Sequence, residues 1–128
     1  MKILLDTQLL LWAAIDTLPP KAADYINNRQ NTLLFSSASM WEVVIKAGLG
    51  RADFRVDPNS LYSGLINAGY QELPVTGNHS LVVQTLPKLH KDPFDRILLA
   101  QSIYEGVPFL TSDELIAEYP GSIIYIPR

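Results

Sequence analysis

Apolar residues in this chain form short continuous runs that alternate with stretches of helical spacing. The first run ends at Leu5, directly before Asp6, which is typical of a buried strand. Other segments are bounded by capping and turn residues, such as Asp92 and Pro93 before one helix and Gly106 after it. The pattern predicts strands at about 2–5, 33–35, 70–75, 107–110 and 122–126, and helices at about 7–14, 21–28, 36–47, 76–86, 93–105 and 114–118, with a further helix that begins at 57–58.

Short, wholly apolar strands that alternate with helices indicate a parallel sheet covered by helices on both faces. The chain has 128 residues, a common size for one domain. Its sequence contains no internal repeat, low-complexity segment or interdomain linker. The sequence therefore predicts an α/β fold of three layers, an α/β/α sandwich that forms a single domain over residues 1–128.

Composition narrows the class of protein. With 48% hydrophobic and 18% charged residues, the chain is typical of a folded domain rather than a disordered segment. It has no cysteine, which excludes disulfides and thiolate metal sites. Asp6 comes too early for a secretory signal, and no apolar run approaches the roughly 20 residues that span a bilayer. We therefore expect a soluble, cytoplasmic protein that does not contact a membrane.

The net charge of −3 is opposite in sign to the basic surface that most nucleic-acid-binding proteins carry. Basic residues could still gather on one face, and Lys46 and Arg96 are candidates to contact a substrate, although solvated ion pairs explain them equally well. Apolar neighbours at helical spacing predict that the aromatic side chains of Trp12, Trp41 and Phe94 pack in the core. Two basic groups are conceivable: Lys46, Arg51 and Arg55, and Lys88, His90, Lys91 and Arg96.

Several acidic residues, taken singly, have a structural explanation. Asp6 could cap the helix that follows it, and the spacing of Ser39 and Glu42 is that of a capping box. Asp92 precedes Pro93 as a capping residue would, which places Asp95 in the first turn of the same helix. Asp113 stands in a comparable position at the start of a short helix.

Taken together, four of these acids predict a site. Asp6 and Asp113 lie just beyond the carboxyl ends of predicted strands, where ligands bind in open α/β sheets, and Glu42 and Asp95 begin helices at the same edge. Four carboxylates in one crevice repel each other unless a cation lies between them. Mg²⁺ prefers such oxygen ligands, whereas two histidines and no cysteine make zinc a poor fit. Acids without a glycine-rich phosphate loop suggest hydrolysis of a phosphodiester.

Four segments contain the predicted acids in chain order: ILLDT at residues 3–7, SASMWEVVIK at 37–46, HKDPFDRILLAQ at 90–101 and LTSD at 110–113. In their residues and their order these segments are similar to the signatures of the PIN-domain family, and the resemblance covers nearly the whole chain. The segment that contains Asp95 resembles especially the VapC group, the toxins of VapBC toxin–antitoxin pairs.

The resemblance implies a Rossmann-like α/β/α fold with a mostly parallel sheet of about five strands. It also implies endoribonuclease activity that depends on Mg²⁺ or Mn²⁺, a homodimer, and a cognate antitoxin that docks apolar helices and places a basic side chain in the acidic pocket. Carried over by matching position, Asp6, Glu42, Asp95 and Asp113 are the catalytic and metal-binding acids. Asp95 is preferred to Asp92 because it directly precedes the RILLA run, and Thr7 and Thr111 match hydroxyl positions near the site.

Water is the expected nucleophile for RNA cleavage, since the chain has no cysteine and its serines lack a nearby candidate base. Three alternatives come from other classes. A haloacid-dehalogenase-like phosphatase also has Asp after its first strand, but it needs a second Asp where this chain has Gln8. A response-regulator receiver needs paired acids early in the chain and a Lys-Pro pair near the last strands, and this chain has neither. The third alternative is a catalytically silent PIN-like binding module, in which the acids are only caps.

Overall fold

The computed structural model describes residues 1–89 and 91–127. His90, one member of the second predicted basic group, lies outside the described residues. Within the described ranges the chain forms strands and helices that alternate almost throughout. In chain order these are β1 (Lys2–Leu5), α1 (Thr7–Ala14), α2 (Pro20–Ile26), β2 (Thr32–Ser36), α3 (Ser37–Gly48), α4 (Pro58–Asn67), β3 (Gln71–Leu73), α5 (Gly77–Val83), α6 (Pro93–Glu105), β4 (Phe109–Thr111), α7 (Glu114–Ala117) and β5 (Ile123–Tyr125).

The five strands form one sheet in the order β3-β2-β1-β4-β5. All four pairings are parallel, and β1 lies at the centre, with Leu4 opposite Leu34 of β2 on one side and Phe109 of β4 on the other. The predicted α/β fold with a mostly parallel sheet of about five strands is confirmed. The order of the strands reverses between β1 and β4, which leaves a crevice at their carboxyl ends.

The sheet is buried on both faces because successive side chains of its strands point to opposite sides. Ile3 and Leu5 of β1 pack in a core with residues of α1, α2 and α4. Leu4, between them, joins Phe109 of β4 and Leu98 of α6 in a second core on the other face. This alternation produces the three layers predicted from the sequence.

The helix that carries Asp95 has well-defined ends. The Asp92 carboxylate accepts a hydrogen bond from the Phe94 N–H at 2.9 Å, and Pro93 occupies the first turn, where its missing N–H is harmless. Gly106 ends the helix with φ of 67°, a left-handed conformation in which only glycine avoids strain. The capping role predicted for Asp92 is confirmed.

The third strand is shorter than predicted, and hydrogen bonds explain both of its ends. The Tyr70 N–H donates to the Leu65 carbonyl at 3.0 Å, so Tyr70 closes α4 instead of beginning the strand. At the other end Pro74 has no N–H to donate, and the Val75 N–H bonds to the Ser37 hydroxyl at 3.0 Å. In residues 1–89 and 91–127, no helix is both long and apolar enough to cross a membrane.

Candidate functional site

The carboxyl ends of β1, β2 and β4 meet at one edge of the sheet, and α1, α3 and α7 begin there. Asp6 follows β1 and Asp113 lies two residues after Thr111, the last residue of β4. These two strands flank the point where the strand order reverses. The fold therefore directs both acids toward the crevice in which open α/β sheets bind ligands.

A cavity of about 310 Å³ lies at this edge, and all four predicted acids line it. Residues far apart in the chain thus meet in one pocket, which is the geometric condition for a joint site. Their catalytic and metal-binding roles remain predictions. The residues that line the cavity are Asp6, Thr7, Gln8, Leu11, Glu42, Lys46, Asp92, Asp95, Ser112, Asp113 and Ile116.

Asp6 is both a helix cap and a buried member of this cavity. Its Oδ1 atom accepts a hydrogen bond from the Leu9 N–H at 2.8 Å, which caps α1. Its Oδ2 atom accepts one from the Thr111 hydroxyl. Burial raises the pKa of the Asp6 carboxyl, while the hydrogen bonds from Thr111, Leu9 and Ser112 lower it, and the nearby charge of Asp113 raises it further. Burial therefore disfavours the ionised form of the Asp6 carboxyl, and the hydrogen bonds offset only part of that effect.

Thr111 links two of the acids through one hydroxyl. Its Oγ1 atom donates to Asp6 and accepts from the Asp113 N–H at 3.1 Å. Thr111 is completely buried, and its two hydrogen bonds orient the Asp6 carboxylate and the start of α7. The side chain of Thr111 is not among those that line the cavity, so the structure places it beside the predicted site through these two bonds, and a contact with substrate stays a prediction.

We expect Thr111→Val to lower the free energy of unfolding by about 1–3 kcal/mol, because the buried Oδ2 of Asp6 and the Asp113 N–H each lose their partner. Urea denaturation followed by circular dichroism measures the loss. Ser112→Ala is the matched control, because it keeps the backbone N–H that serves Asp6, and it should change stability by less than about 0.5 kcal/mol. Equal losses in the two variants would contradict this role of the hydroxyl.

Glu42 lies on α3 with its side chain only 8% exposed. Its Oε2 atom is 2.9 Å from the ammonium of Lys46, one helical turn later. Its Oε1 atom is buried and has no hydrogen-bond partner among the described residues. Such an atom lacks the interactions that water would give it, which is unfavourable unless a donor or cation occupies the place beside it.

The capping-box interpretation of Ser39 and Glu42 is wrong. Ser36 caps α3 by accepting a hydrogen bond from the Ala38 N–H at 3.0 Å. Ser39 lies inside the helix, buried, where its hydroxyl accepts from the hydroxyl of Thr7 at 2.8 Å. Glu42 therefore reaches the cavity from the second turn of α3. Thr7 lines the cavity but uses its hydroxyl hydrogen in this bond between α1 and α3.

The remaining acids stand at or near helix starts. The Asp113 carboxylate accepts from the Leu115 N–H at 2.9 Å and caps α7. Asp95 is the third residue of α6 and is half-buried, and the capping residue Asp92 lines the same cavity. The capping and site interpretations of these acids are thus compatible, because the helices begin where the cavity lies.

The donor set suits a hard divalent cation only in part. Within residues 1–89 and 91–127, no three His, Asp or Glu side chains stand close enough together, as placed, to hold a metal ion. The chemistry of the donors nevertheless fits Mg²⁺, which prefers oxygen ligands, keeps several waters and is bound by one or two protein carboxylates. The buried, unpaired Oε1 of Glu42 is a second observation that favours a cation.

Two side chains are placed differently from their predictions. The guanidinium of Arg96 donates to the Val83 carbonyl at 3.2 Å and to the Pro87 carbonyl at 2.9 Å, so it holds the segment after α5 and does not line the acidic cavity. Its contact with a substrate stays a prediction. Trp41 is 64% exposed and packs edge-on against Phe94, so its predicted place in the core is wrong.

Two uncharged polar residues that line the cavity were not among the site residues predicted from the sequence. Gln8 and Ser112 each lie one or two residues from a predicted acid, at the same edge of the sheet. Their positions directly after Thr7 and directly before Asp113 were the available signal. Neither residue type indicates a particular chemistry by itself.

Known proteins share this architecture. A chain of VapBC2 from Rickettsia felis, bound to a DNA fragment from the promoter, has a TM-score of 0.74 at 14% identity, over 98% of this chain and 99% of that one. A chain of DNA-bound VapBC from Salmonella typhimurium has a TM-score of 0.72 at 15% identity, over 98% of each chain. FitAcB from Neisseria gonorrhoeae has a TM-score of 0.64 at 14% identity, over 95% of this chain and 96% of that one.

At these identities the likeness to solved structures shows the fold alone. Comparison with curated protein sequences gives no match. The model of the PIN domain family, however, matches residues 3–122 and therefore spans four of the five strands, β1 to β4 without the first residue of β1, together with the helices α1 to α7 and every acid of the cavity. By that match, this chain belongs to the PIN-domain family.

Proposed function

We propose that this protein is a metal-dependent endoribonuclease, the VapC-like toxin of a toxin–antitoxin pair. The observation that carries the proposal is that Asp6, Glu42, Asp95 and Asp113 line one cavity at the point where the strand order reverses. A purely capping role explains Asp6 and Asp113 but leaves Asp95, since Asp92 caps α6. It also leaves Glu42, which caps no helix and has a buried carboxylate oxygen without a hydrogen-bond partner among the described residues.

Asp6 and Asp95 are the proposed principal ligands of Mg²⁺ or Mn²⁺, with Glu42 and Asp113 joining directly or through water. When bound, such an ion lowers the pKa of a coordinated water and stabilises the charge that develops on a scissile phosphate. The hydrogen bonds from Thr111 and from the Leu9 N–H hold the Asp6 carboxylate in one orientation. Asp6 is thus fixed before any ligand arrives, which avoids reorganisation during the reaction.

Water is the proposed attacking group. The hydroxyl hydrogen of Thr7 is committed to Ser39, and the cavity has no thiol, since the chain has no cysteine. Gln8 lines the cavity at the position where the phosphatase alternative needs a general-acid aspartate, and an amide cannot donate a proton in that way. Hydrolysis of a phosphodiester by a metal-activated water fits these residues better than a covalent intermediate does.

RNA is the proposed substrate, and Lys46 the proposed phosphate contact. Its ammonium lines the cavity and its side chain is 45% exposed, so it can reach a bound strand. Thr7 is proposed to act beside it, through the lone pairs of its hydroxyl. A cytoplasmic location belongs to the same proposal, because that is where an RNA-cleaving toxin would meet its substrate.

An antitoxin partner and a homodimer are proposed from the apolar surface together with the similarity to chains of VapBC complexes. One apolar cavity, of about 430 Å³, lies between α1 and α4 and is lined by Leu11, Leu61 and Leu65. Another, of about 700 Å³, lies beside α3 and α6 at Trp41 and Phe94. Exposed apolar surface of this kind is typical of sites that bind another protein.

Cleavage of RNA under controlled metal conditions tests the proposal. The purified protein is incubated with a labelled single-stranded RNA in Mg²⁺, in Mn²⁺ and in excess EDTA, and products are resolved by electrophoresis. We expect cleavage with either cation and none with EDTA, with activity restored when the cation is added back in excess. Cleavage that persists in EDTA would refute the metal dependence.

The pair Asp95 and Asp92 sharpens this test, because both line the cavity but only Asp92 caps α6. We expect Asp95→Asn to weaken Mn²⁺ binding and RNA cleavage by about 10- to 100-fold, since one ligand carboxylate is lost. Asp92→Asn retains the cap, because Asn serves as well as Asp there, and should stay within about threefold of the parent. The reverse ranking would exchange the two assignments.

A further inference from the structure

Lys46 and Glu42 form an unusual ion pair at the wall of the acidic cavity. The two residues are one turn apart on α3, and the Lys46 ammonium is 2.9 Å from Oε2 of Glu42. The lysine side chain is 45% exposed, whereas that of the glutamate is only 8% exposed. Ion pairs at this helical spacing usually have two solvated partners and contribute little. Here one partner has been withdrawn from water and depends on the other.

The charges of the cavity make this dependence stronger. Among the described residues that line it, five are acidic and Lys46 alone is basic. A carboxylate that is removed from water loses its solvation, and a nearby positive charge offsets that loss. The Lys46 ammonium therefore supplies the positive charge that a divalent cation would supply in the same cavity.

We propose that Lys46 is the internal counter-ion of the metal-free site and that it competes with the divalent cation for Glu42. The inference rests on the proposed function, because it assumes that a cation binds in this cavity. In the metal-free protein the ammonium neutralises Oε2 of Glu42. When a cation binds, the ammonium moves away from Glu42 toward the mouth of the cavity, where it is available to a phosphate.

The geometry permits this exchange. The lysine stem has four methylene groups and the side chain is 45% exposed, so the ammonium can leave Glu42 without disturbing α3. Among the described residues Oε1 of Glu42 has no hydrogen-bond partner, and it offers an incoming cation a first contact before Lys46 departs. Competition of this kind sets the cation concentration at which the site fills.

Mn²⁺ affinity, measured by the electron paramagnetic resonance signal of the free ion, tests the proposal on the full chain. We expect Lys46→Met, which keeps the aliphatic stem, to bind Mn²⁺ about five- to tenfold more tightly than the parent, the scale expected when a partly exposed ion pair no longer competes. Lys21→Met is the control, because it makes the same change in net charge at an exposed residue of α2. It should leave the affinity within about twofold, because distant charges are screened at physiological salt.

A double-mutant cycle identifies the route of the effect. In a Glu42→Gln background, Lys46→Met should no longer tighten Mn²⁺ binding, because the lysine has no carboxylate to release. A general loss of positive charge near the cavity would instead tighten binding equally in both backgrounds. That second outcome would overturn the assignment of Glu42 as the shared partner.

Thermal unfolding gives a readout that does not depend on a loaded site. In EDTA, Lys46→Met should melt at a lower temperature than the parent, because a buried carboxylate loses its counter-ion, whereas Lys46→Arg should melt near the parent. Addition of Mn²⁺ should stabilise Lys46→Met more than it stabilises the parent. A purely structural ion pair would lower the melting temperature without any gain in affinity.

The outcomes separate the two proposals. If the parent binds Mn²⁺ with a defined stoichiometry and Lys46→Met binds it equally or more weakly, the counter-ion proposal is wrong and the proposed function stands. If neither protein binds Mn²⁺ in a defined ratio, while both remain folded, the proposed function fails and the competition fails with it.

Discussion

Replacement of Asp6 by Asn should reduce metal-dependent RNA cleavage by about 10²- to 10³-fold, a range typical of losing one group that stabilises charge at the reacting centre. The variant should keep its fold. Asn is as good a helix cap as Asp, so the hydrogen bond from the Leu9 N–H is retained. The Thr111 hydroxyl can turn and accept from the new amide in place of donating to a carboxylate. Initial rates in saturating Mg²⁺ or Mn²⁺ measure the effect, with circular dichroism as the control.

The pH dependence of stability should also distinguish this variant from the parent, because the Asp6 carboxyl of the parent is buried. The pKa of the Asp6 carboxyl is raised in the folded protein, chiefly by desolvation. A raised pKa means that this group favours folding while it is protonated, and that the contribution is lost as pH rises from the ordinary aspartate range, about 4, through the folded value. In EDTA, Asp6→Asn should therefore be at least as stable as the parent near pH 7 and should lack this decline. An Asn variant that cleaves RNA at the parental rate would remove Asp6 from the proposed site.

Phe109→Ala should have the largest effect on stability, a loss of about 3–5 kcal/mol in the free energy of unfolding. Phe109 is completely buried in β4, opposite Leu4 of β1 and Ile123 of β5, so its removal leaves a cavity against the centre of the sheet. Small domains have a total stability of only about 5–15 kcal/mol. The variant should therefore be close to unfolded at 37 °C, which urea or thermal denaturation measures.

Leu115→Ala is the control for this prediction. Leu115 lies on α7, a few residues after β4, but it is 48% exposed, and its backbone N–H still bonds to Asp113 after the change. We expect a change of less than about 0.5 kcal/mol. Similar losses in the two variants would mean that β4 is not a major part of the core.

Because β4 also carries Thr111, a weakened strand should reduce activity before the protein unfolds globally.

The sequence predicted the order and type of every element because its strands are short apolar runs and its helices have distinct ends. Pro93 after Asp92, and Gly106 after the helix, restrict the backbone locally, so the bounds of α6 could be predicted without tertiary information. The bounds of β3 could not be predicted in this way. Its start depends on the hydrogen bond from the Tyr70 N–H to the Leu65 carbonyl, which closes α4. Its end depends on the bond from the Val75 N–H to the Ser37 hydroxyl, which joins residues that only folding brings together.

The acids of the cavity could be predicted because the edge of a parallel sheet collects the residues that follow its strands. The surroundings of each acid could not. Ser36 and Ser39 have similar capping potential in the sequence, and only the register of β2 decides that Ser36 caps α3 while Ser39 turns to Thr7. Arg96 reaches backbone carbonyls of a segment that is adjacent only in space. Trp41 shows apolar spacing although its side of α3 is exposed.

The hydrogen bond between Thr111 and Asp6 joins residues that are synthesised far apart in time. Asp6 directly follows β1, whereas Thr111, which orients its carboxylate, is 105 positions later. Asp113, which lines the same cavity, follows two residues after that. A growing chain that has not yet extended past these residues therefore lacks a complete pocket. Any function of this pocket therefore requires that the chain from Asp6 through Asp113 has been synthesised and has folded.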